Sequence, residues 1–137
     1  DAKNAKFLPL FSLRPPRSLR LIAQVNKSPF LKGTVYLPTP VTTEVAYLLL
    51  RDLGSDAVAD FAESLANSDI VLLEPKSEDY RRAASVIRQY RDARIDFVDA
   101  VIVALAERLN ITRILTIDQR DFRLFRPAHC PAFEIIP

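Results

Sequence analysis

The sequence predicts a single α/β domain, a three-layer α/β/α sandwich around a mainly parallel central sheet. Short apolar runs alternate along the chain with longer segments whose apolar residues recur at helical spacing. One of the short runs is continuously apolar, which is typical of a strand covered on both faces. A chain of 137 residues has room for one domain of ordinary size, so we predict a single domain over residues 1–137.

The N-terminal part of the sequence is the least regular. Prolines interrupt its first apolar run, and only Ser18–Asn26 has a helical pattern. We therefore predict a helix there and consider residues 1–33 an atypical N-terminal segment. Thr34–Leu37 is the first predicted strand.

The middle of the chain predicts a helical hairpin followed by a strand. The first helix, Thr39–Leu53, stops at Gly54, and the second, Ser55–Asn67, carries an apolar face with helical spacing. The continuous apolar run Ile70–Leu73 predicts a buried parallel strand.

The last part of the chain predicts two more helices and two strands. A helix runs over Ser77–Asp92 with Tyr80 on its inward face, and a strongly apolar helix follows over Asp96–Leu109. The runs Arg113–Thr116 and Phe133–Ile136 predict strands. Strands separated by helices favour right-handed crossovers and hence a parallel sheet.

Composition excludes several classes of protein. The two glycines leave no glycine-rich phosphate loop, which argues against kinases, NTPases and dinucleotide enzymes. The net charge of +2 permits a polyanionic partner without demanding one. The single cysteine and the lack of a membrane span or secretion signal lead us to expect a cytoplasmic protein.

A catalytic pair of Cys130 and His129 is not favoured. The two residues are neighbours in a segment that reads as extended, where successive side chains point apart.

Carboxylates occur where the predicted sheet would gather them. Glu44 lies in the first helix of the hairpin, Asp96 and Asp99 begin the apolar helix, and Asp118 follows a strand. Ligands of open parallel sheets bind beyond the carboxyl ends of the strands. A site made of carboxylates alone suits Mg²⁺ or Mn²⁺, and such cations support phosphodiester hydrolysis.

Each carboxylate also has an ordinary explanation. Asp96 is a natural N-cap, Glu44 complements the dipole of its helix, and Asp118 can cap the turn that follows it. Asp99 is harder to explain in this way, because a charge within an apolar segment costs free energy unless it is compensated. The residues alone leave the reaction open.

Three segments in order resemble PIN-domain ribonucleases, in particular the VapC-type toxins of toxin–antitoxin pairs. They read PTPVTTEVAYLLL, IDFVDAVIVALAERL and ILTIDQRDF. The positions that match the family's motifs are Glu44 in the first segment, Asp99 with Asp96 as an additional acid in the second, and Thr116 with Asp118 in the third.

The family usually begins with a strand that ends in an aspartate, and Asp1 is the residue here that could match it. The resemblance implies that Asp1, Glu44, Asp99 and Asp118 are catalytic and, with Asp96, bind Mg²⁺ or Mn²⁺. Thr116 would have a supporting role.

The resemblance also implies partners. These are an RNA substrate, a small antitoxin protein and a second copy of the chain in a homodimer, with the helical hairpin from Pro40 to Ala66 as a plausible docking surface. Nine arginines are available to attract phosphates, namely Arg14, Arg17, Arg20, Arg82, Arg88, Arg91, Arg120, Arg123 and Arg126. Two alternatives stay open, a catalytically impaired module that binds RNA or protein and a metal-dependent DNA nuclease.

Overall fold

The computed structural model describes residues 34–116 and 119–136, together with the backbone of residues 20–23. The five strands of this part form one sheet in the order β3-β2-β1-β4-β5. Their bounds are β1 Arg20–Ala23, β2 Val35–Pro38, β3 Val71–Leu73, β4 Arg113–Thr116 and β5 Glu134–Ile136.

Five α-helices and a short 3-10 turn connect these strands. They are α1 Thr39–Leu53, α2 Ser55–Asn67, α3 Ser77–Gln89, the 3-10 turn Arg91–Ala93, α4 Phe97–Arg108 and α5 Arg120–Leu124. Over the described ranges, no helix has both the length and the apolar character needed to cross a bilayer.

The expectation of a mainly parallel sheet is confirmed. The pairs β2–β3 and β4–β5 are parallel, and β1 is antiparallel to both β2 and β4. Four of the five described strands therefore run in one direction, and their carboxyl ends lie at one edge of the sheet.

The predicted helix Ser18–Asn26 is wrong, since Arg20–Ala23 form the central strand β1. The backbone of Ile22 is in register with Tyr36 of β2 on one side and with Ile114 of β4 on the other. Pairing on both sides satisfies the backbone polar groups of this short segment and overrides a weak local helical pattern.

The connections account for the layers of the sandwich. The crossover through α1 and α2 leads from β2 outward to β3, and the crossover through α3 and α4 leads back across the sheet to β4. Right-handed crossovers in opposite directions place their helices on opposite faces of a sheet.

Helices α1 and α2 form the hairpin that their spacing predicts. Val41, Val45 and Leu49 are buried along one face of α1. Gly54 ends this helix with φ of 87°, and its N–H donates to the carbonyl oxygens of Leu49 and Leu50. A side chain at that φ would be strained, which explains a glycine at this position.

Helix α4 is the central helix of the core. Its residues from Asp99 to Ala106 are all buried, and the apolar ones belong to the main hydrophobic cluster. A helix that is apolar all round is stable only when other elements cover it on every side.

Helix α3 is rotated relative to the predicted one. Tyr80 is exposed rather than inward, and the buried residues are Asp79, Ala83 and Val86. Asp79 takes the inward position because its carboxylate accepts hydrogen bonds from Arg108 Nε at 2.9 Å and from the Lys76 N–H at 2.7 Å.

The strand predicted over Ile70–Leu73 exists as β3, but its predicted burial is wrong. It lies at an edge of the sheet, and Val71 and Leu72 are exposed. A continuous apolar run does not distinguish an inner strand from an edge strand.

Glu107 ties the C-terminal segment to α3 and α4. Its carboxylate accepts hydrogen bonds from Arg82 Nε at 2.6 Å, from Arg82 Nη2 at 3.0 Å and from the Ala128 N–H at 2.9 Å. Burial raises the pKa of the Glu107 carboxyl, but these hydrogen bonds outweigh it and hold that pKa below its usual value.

We expect Glu107→Gln to lower the free energy of unfolding at pH 7 by about 1 kcal/mol, because the pair is partly exposed. A carboxyl whose pKa is lowered by folding stabilises the protein above its unfolded pKa, and that stability is lost as pH falls through the folded pKa. The difference between parent and variant should therefore shrink as pH falls below the unfolded pKa of a glutamate, about 4.3, and vanish below the lowered folded pKa. Urea unfolding at pH 7 and pH 3 measures this difference. The control is Glu63→Gln, at an exposed position of α2. An equal difference in unfolding free energy at both pH values would show that the charge of Glu107 does not stabilise the fold.

Candidate active site

The carboxyl edge of the sheet is where the elements that carry Glu44, Asp99 and Thr116 begin or end. Helix α1 begins directly after β2, so its first turns rise from that edge. Helix α4 ends just before β4 begins, and the Ile111 N–H donates to the Ala106 oxygen at 2.8 Å in the turn between them. The 12 residues of α4 span about 18 Å, which returns its N-terminus to the carboxyl edge.

Asp99 lies in the first turn of α4 and is 0% exposed. Its neighbours Ala100, Val101 and Ile102 are also fully buried. A carboxylate in such surroundings needs compensation by hydrogen bonds, by the positive end of the helix dipole or by a cation. Its burial separates it from a carboxylate that merely faces solvent.

Asp96 is the N-cap of α4, as its ordinary explanation requires. One of its carboxylate oxygens accepts a hydrogen bond from the Asp99 N–H at 2.9 Å. The side chain is exposed, unlike that of Asp99. Its capping role is thus observed, and its role as a metal ligand stays a prediction.

Glu44 and Thr116 lie on the other two elements of this edge. Glu44 is in the second turn of α1, where it is half-buried and its Oε2 atom has no contact with solvent. Thr116 is the last residue of β4, is buried, and pairs in register with Arg20 of β1. The fold thus places three of the sequence-predicted residues on elements that meet at one edge.

Asp1 and Asp118 lie outside the described residues, although Asp118 comes only two positions after Thr116 in the chain. Within residues 34–116 and 119–136, no group of three histidine, cysteine or acidic side chains is arranged to hold a metal ion. The complete ligand set therefore stays a prediction.

Glu74 is an acidic residue of this edge that the sequence analysis missed. It follows β3 directly, and its Oε2 accepts a hydrogen bond from the hydroxyl of Thr39 at 2.7 Å. The contact joins the carboxyl ends of β2 and β3. The sequence signal that could have identified Glu74 is the one that identified Asp118, namely an acidic residue directly after a strand.

The expectation that Cys130 and His129 point apart is wrong, because the Cys130 Sγ lies 3.7 Å from the His129 Nε2. The contact does not create a nucleophile. Burial raises the pKa of the Cys130 thiol, which keeps it protonated near neutral pH. The same His129 nitrogen lies 2.8 Å from the Ile111 oxygen, a contact that anchors the C-terminal segment.

Several of the described arginines already have partners in the fold, including Arg120, which lies 3.6 Å from Asp121 Oδ1, and Arg123, whose Nη2 donates to Gln119 Oε1 at 2.6 Å. Arg82 is held by Glu107, and the Arg126 Nη1 donates to the carbonyl oxygens of Arg123 and Phe125. Arg120 and Arg123 lie on α5, which begins beyond the carboxyl end of β4, and both are exposed. The positive charge of α5 is thus close in sequence and topology to the candidate site.

Comparisons with known proteins identify the fold and the family. The family model of the PIN domain matches residues 7–126. Ribonuclease VapC26 of Mycobacterium tuberculosis is 34% identical over 97 residues, which cover 71% of this chain and 72% of that protein. The crystal structure of VapC20 from Mycobacterium tuberculosis, described as a toxin that cleaves the sarcin-ricin loop, superposes with a TM-score of 0.55 at 18% identity. The superposition covers 82% of this chain and 74% of the VapC20 chain.

The family match spans most of the chain, and the three segments that carry Glu44, Asp99 and Thr116 lie within it. The solved structure supports the same α/β fold independently of sequence identity. The chain therefore belongs to the PIN domain family, in its VapC-type group.

Proposed function

We propose that this chain is an endoribonuclease that hydrolyses RNA phosphodiester bonds with Mg²⁺ or Mn²⁺, and that it is the toxin of a VapBC-type toxin–antitoxin pair. The observation that carries the proposal is the fully buried Asp99 carboxylate at the N-terminus of α4. The proposal is supported by membership of the PIN domain family and by similarity to the relative named ribonuclease VapC26.

The donor chemistry fits a hard divalent cation. Glu44 and Asp99 offer oxygen atoms, which Mg²⁺ and Mn²⁺ prefer, and the shielding of both side chains strengthens their attraction for a cation. Asp1, Asp96 and Asp118 are the further ligands that we propose. When bound, the cation supplies a more acidic water and neutralises the charge of the phosphate.

The chain's own residues have three tasks in this proposal. The carboxylates of Glu44 and Asp99 would hold the cation, and the positive end of the α4 dipole stabilises the negative charge of Asp99 in the first turn of that helix. The Thr116 hydroxyl orients a ligand or a water by hydrogen bonding. Arg120 and Arg123 attract the phosphates of the strand through charge, which is the dominant source of affinity for RNA backbones.

The proposed partners are an antitoxin and a second copy of the chain. Tyr47, Leu50 and Leu53 are exposed on α1 at spacings of three residues, so they share one side of the helix. Exposed apolar side chains on one face of the hairpin are typical of a surface that another protein covers. The proposed setting for the pair is the cytoplasm.

Removal of the metal tests the proposal. We expect the purified chain to cleave single-stranded RNA with Mn²⁺, to lose that cleavage with EDTA, and to regain it when Mn²⁺ is added in excess. The loss should be complete within detection, because the cation supplies both the activated water and the charge stabilisation. Gel separation of end-labelled fragments measures it.

A DNA strand of the same sequence is the matched control for the sugar. Cleavage of DNA at an equal rate would favour the DNA nuclease, because the carboxylate chemistry itself does not need a 2′-hydroxyl. Binding of RNA without cleavage at any metal concentration would favour the impaired module. Cleavage that persists in EDTA would contradict the metal site.

A further inference from the structure

Basic side chains are unevenly distributed over the described residues. Residues 34–116 and 119–136 contain twelve lysines and arginines and fifteen acidic residues. Six of the arginines fall in two short segments, residues 88–96 and 119–128, which contain three aspartates. The remaining described residues have six basic and twelve acidic side chains. Positive charge is therefore concentrated in two segments of a part of the chain that is otherwise acidic.

The fold brings these two segments together. The Arg126 N–H donates to the Tyr90 hydroxyl at 2.9 Å, and the rings of Tyr90 and Phe125 are in edge-to-face contact with 5.2 Å between their centroids. Phe125 is buried in the main hydrophobic cluster, so the contact is part of the packed core. Tyr90 directly precedes Arg91, the first residue of the 3-10 turn. The arginines after β4 thus lie beside those between α3 and α4.

The connection between α3 and α4 leads directly to the candidate active site. The Arg94 N–H donates to the Arg91 oxygen at 3.3 Å, and Arg94 stands two residues before Asp96. Consecutive Cα atoms are about 3.8 Å apart, so the Cα atoms of Arg94 and Asp96 are within about 7.6 Å of each other. The Asp96 carboxylate in turn accepts a hydrogen bond from the Asp99 N–H at 2.9 Å. A continuous run of contacts therefore joins the arginines to the buried carboxylate.

Arg91 and Arg94 present their side chains to solvent. Both are exposed, and neither side chain has a hydrogen bond or an ion pair within the part of the chain that the structure describes. Arg94 has φ of 51° and ψ of 46°, the left-handed conformation in which a glycine or an asparagine is less strained. A strained backbone position that carries a long cationic side chain indicates a use for that side chain.

Arg123 and Arg126 are held by neutral acceptors. Arg123 Nη2 donates to Gln119 Oε1 at 2.6 Å, and Arg126 Nη1 donates to the carbonyl oxygens of Arg123 at 2.8 Å and Phe125 at 2.9 Å. These acceptors orient the two guanidinium groups but do not neutralise them, and each group keeps further N–H donors for another ligand. A guanidinium that is already oriented loses less side-chain entropy when it binds.

The chemistry of these arginines fits the phosphates of RNA. Planar guanidinium groups bind phosphate oxygens through pairs of hydrogen bonds. A protein partner usually covers a larger apolar area, and the exposed apolar residues of α1 offer one. Within residues 88–96 and 119–128 the exposed large apolar side chain is that of Leu124. Phosphates are therefore favoured over a protein as the ligand of this surface.

We propose that Arg91, Arg94, Arg123 and Arg126 form an arginine surface that binds phosphates of the RNA strand beside the cleaved one. The inference rests on the proposed ribonuclease function and adds to it a substrate-binding site outside the carboxylates that would hold the cation. Phosphate contacts carry no information about the bases, so the arginine surface holds and orients the strand without selecting its sequence.

The salt dependence of RNA binding tests the arginine surface. The test variants are Arg91→Gln, Arg94→Gln and Arg123→Gln. The matched control is Arg51→Gln, which also removes one exposed arginine, but on α1, where Arg51 pairs with Asp52. The probe is a single-stranded RNA of about 20 nucleotides with a dye at one end, and Ca²⁺ replaces Mn²⁺ to keep the strand intact. Fluorescence anisotropy gives the affinity at a series of salt concentrations.

We expect each test variant to bind the RNA about fivefold more weakly at about 0.1 M salt. Each should also reduce the slope of log affinity against log salt by about 0.7, the contribution of one phosphate contact on a single strand. Arg51→Gln should change neither quantity. In cleavage assays with Mn²⁺, the test variants should raise KM more than they lower kcat, because the carboxylates are unchanged. Their thermal unfolding should match the parent's, since the substituted side chains are exposed.

An affinity and a salt slope equal to the parent's in all three test variants, with cleavage intact in the parent, would overturn the arginine surface and leave the ribonuclease proposal standing. Arginine-dependent RNA binding without cleavage at any metal concentration would support the surface and count against the ribonuclease. Absence of RNA binding by the parent protein would overturn both proposals. Tighter binding of a polyglutamate peptide than of RNA through the same arginines would assign the surface to an acidic protein partner, and would also overturn the inference.

Discussion

Asp99→Asn is expected to reduce the rate of RNA cleavage by more than about a hundredfold, since loss of an outer-shell partner of a metal site already costs ten- to a hundredfold. The substitution keeps the shape of the side chain and removes the charge that would hold the cation. The initial cleavage rate at saturating Mn²⁺ measures the effect, and binding of Mn²⁺ by calorimetry should weaken in parallel.

Asp79→Asn is the matched control for this substitution. Asp79 is also buried and lies in the first turn of a helix, but its carboxylate is engaged by Arg108 and by the Lys76 N–H. We expect this variant to keep its cleavage rate at temperatures where it is folded. A cleavage rate for Asp99→Asn within a few-fold of the parent's would contradict the proposed site.

Asp79→Ala is expected to lower the free energy of unfolding by about 3 kcal/mol, the low end of the cost of breaking a buried ion pair. The substitution leaves Arg108 without its carboxylate partner and also removes the acceptor of the Lys76 N–H at the start of α3. Arg108 is partly exposed, so water replaces some of the lost interaction. Urea unfolding followed by circular dichroism measures the change.

Glu134→Ala is the control for that experiment. Its carboxylate lies 2.9 Å from Arg113 Nη2, but the pair is at the surface. Exposed pairs of this kind contribute about 0 to 1 kcal/mol. Equal destabilisation by Asp79→Ala and Glu134→Ala would show that burial of Asp79 does not strengthen its contacts.

Most helices were predictable because their signals are local. The hairpin of α1 and α2 has the bounds that Gly54 and the apolar spacing predict, and α4 begins at its N-cap Asp96 as expected. A helix closes its own hydrogen bonds within a few residues, so capping residues and spacing suffice to identify it.

Strand order and the antiparallel direction of β1 were not predictable from local pattern. The segment Arg20–Ala23 reads as part of a helix, yet it is the central strand and runs against its neighbours. The backbone of its residue Ile22 is in register with Tyr36 and Ile114, which lie 14 and 92 positions further along the chain. No short window of sequence contains such partners.

The candidate site shows the same division. Spacing and family motifs identified Glu44, Asp99 and Thr116, since each stands at a fixed place relative to a helix start or a strand end. Glu74 was missed, and Tyr80 was assigned to the wrong face. The face that Tyr80 takes depends on what α3 packs against, whereas Glu74 carried the same signal as Asp118, an acidic residue directly after a strand.

The order of residues was thus enough to identify the α/β class, four of the helices and the acidic residues that match the PIN family. It did not reveal which carboxylates are buried or which aromatic rings stay exposed. Asp79 is held inside by Arg108, which is 29 positions away, and the ring of Tyr80 is left outside beside Phe97. Burial depends on contacts between elements that are distant in the chain, and these exist only once the helices have packed against each other and the sheet.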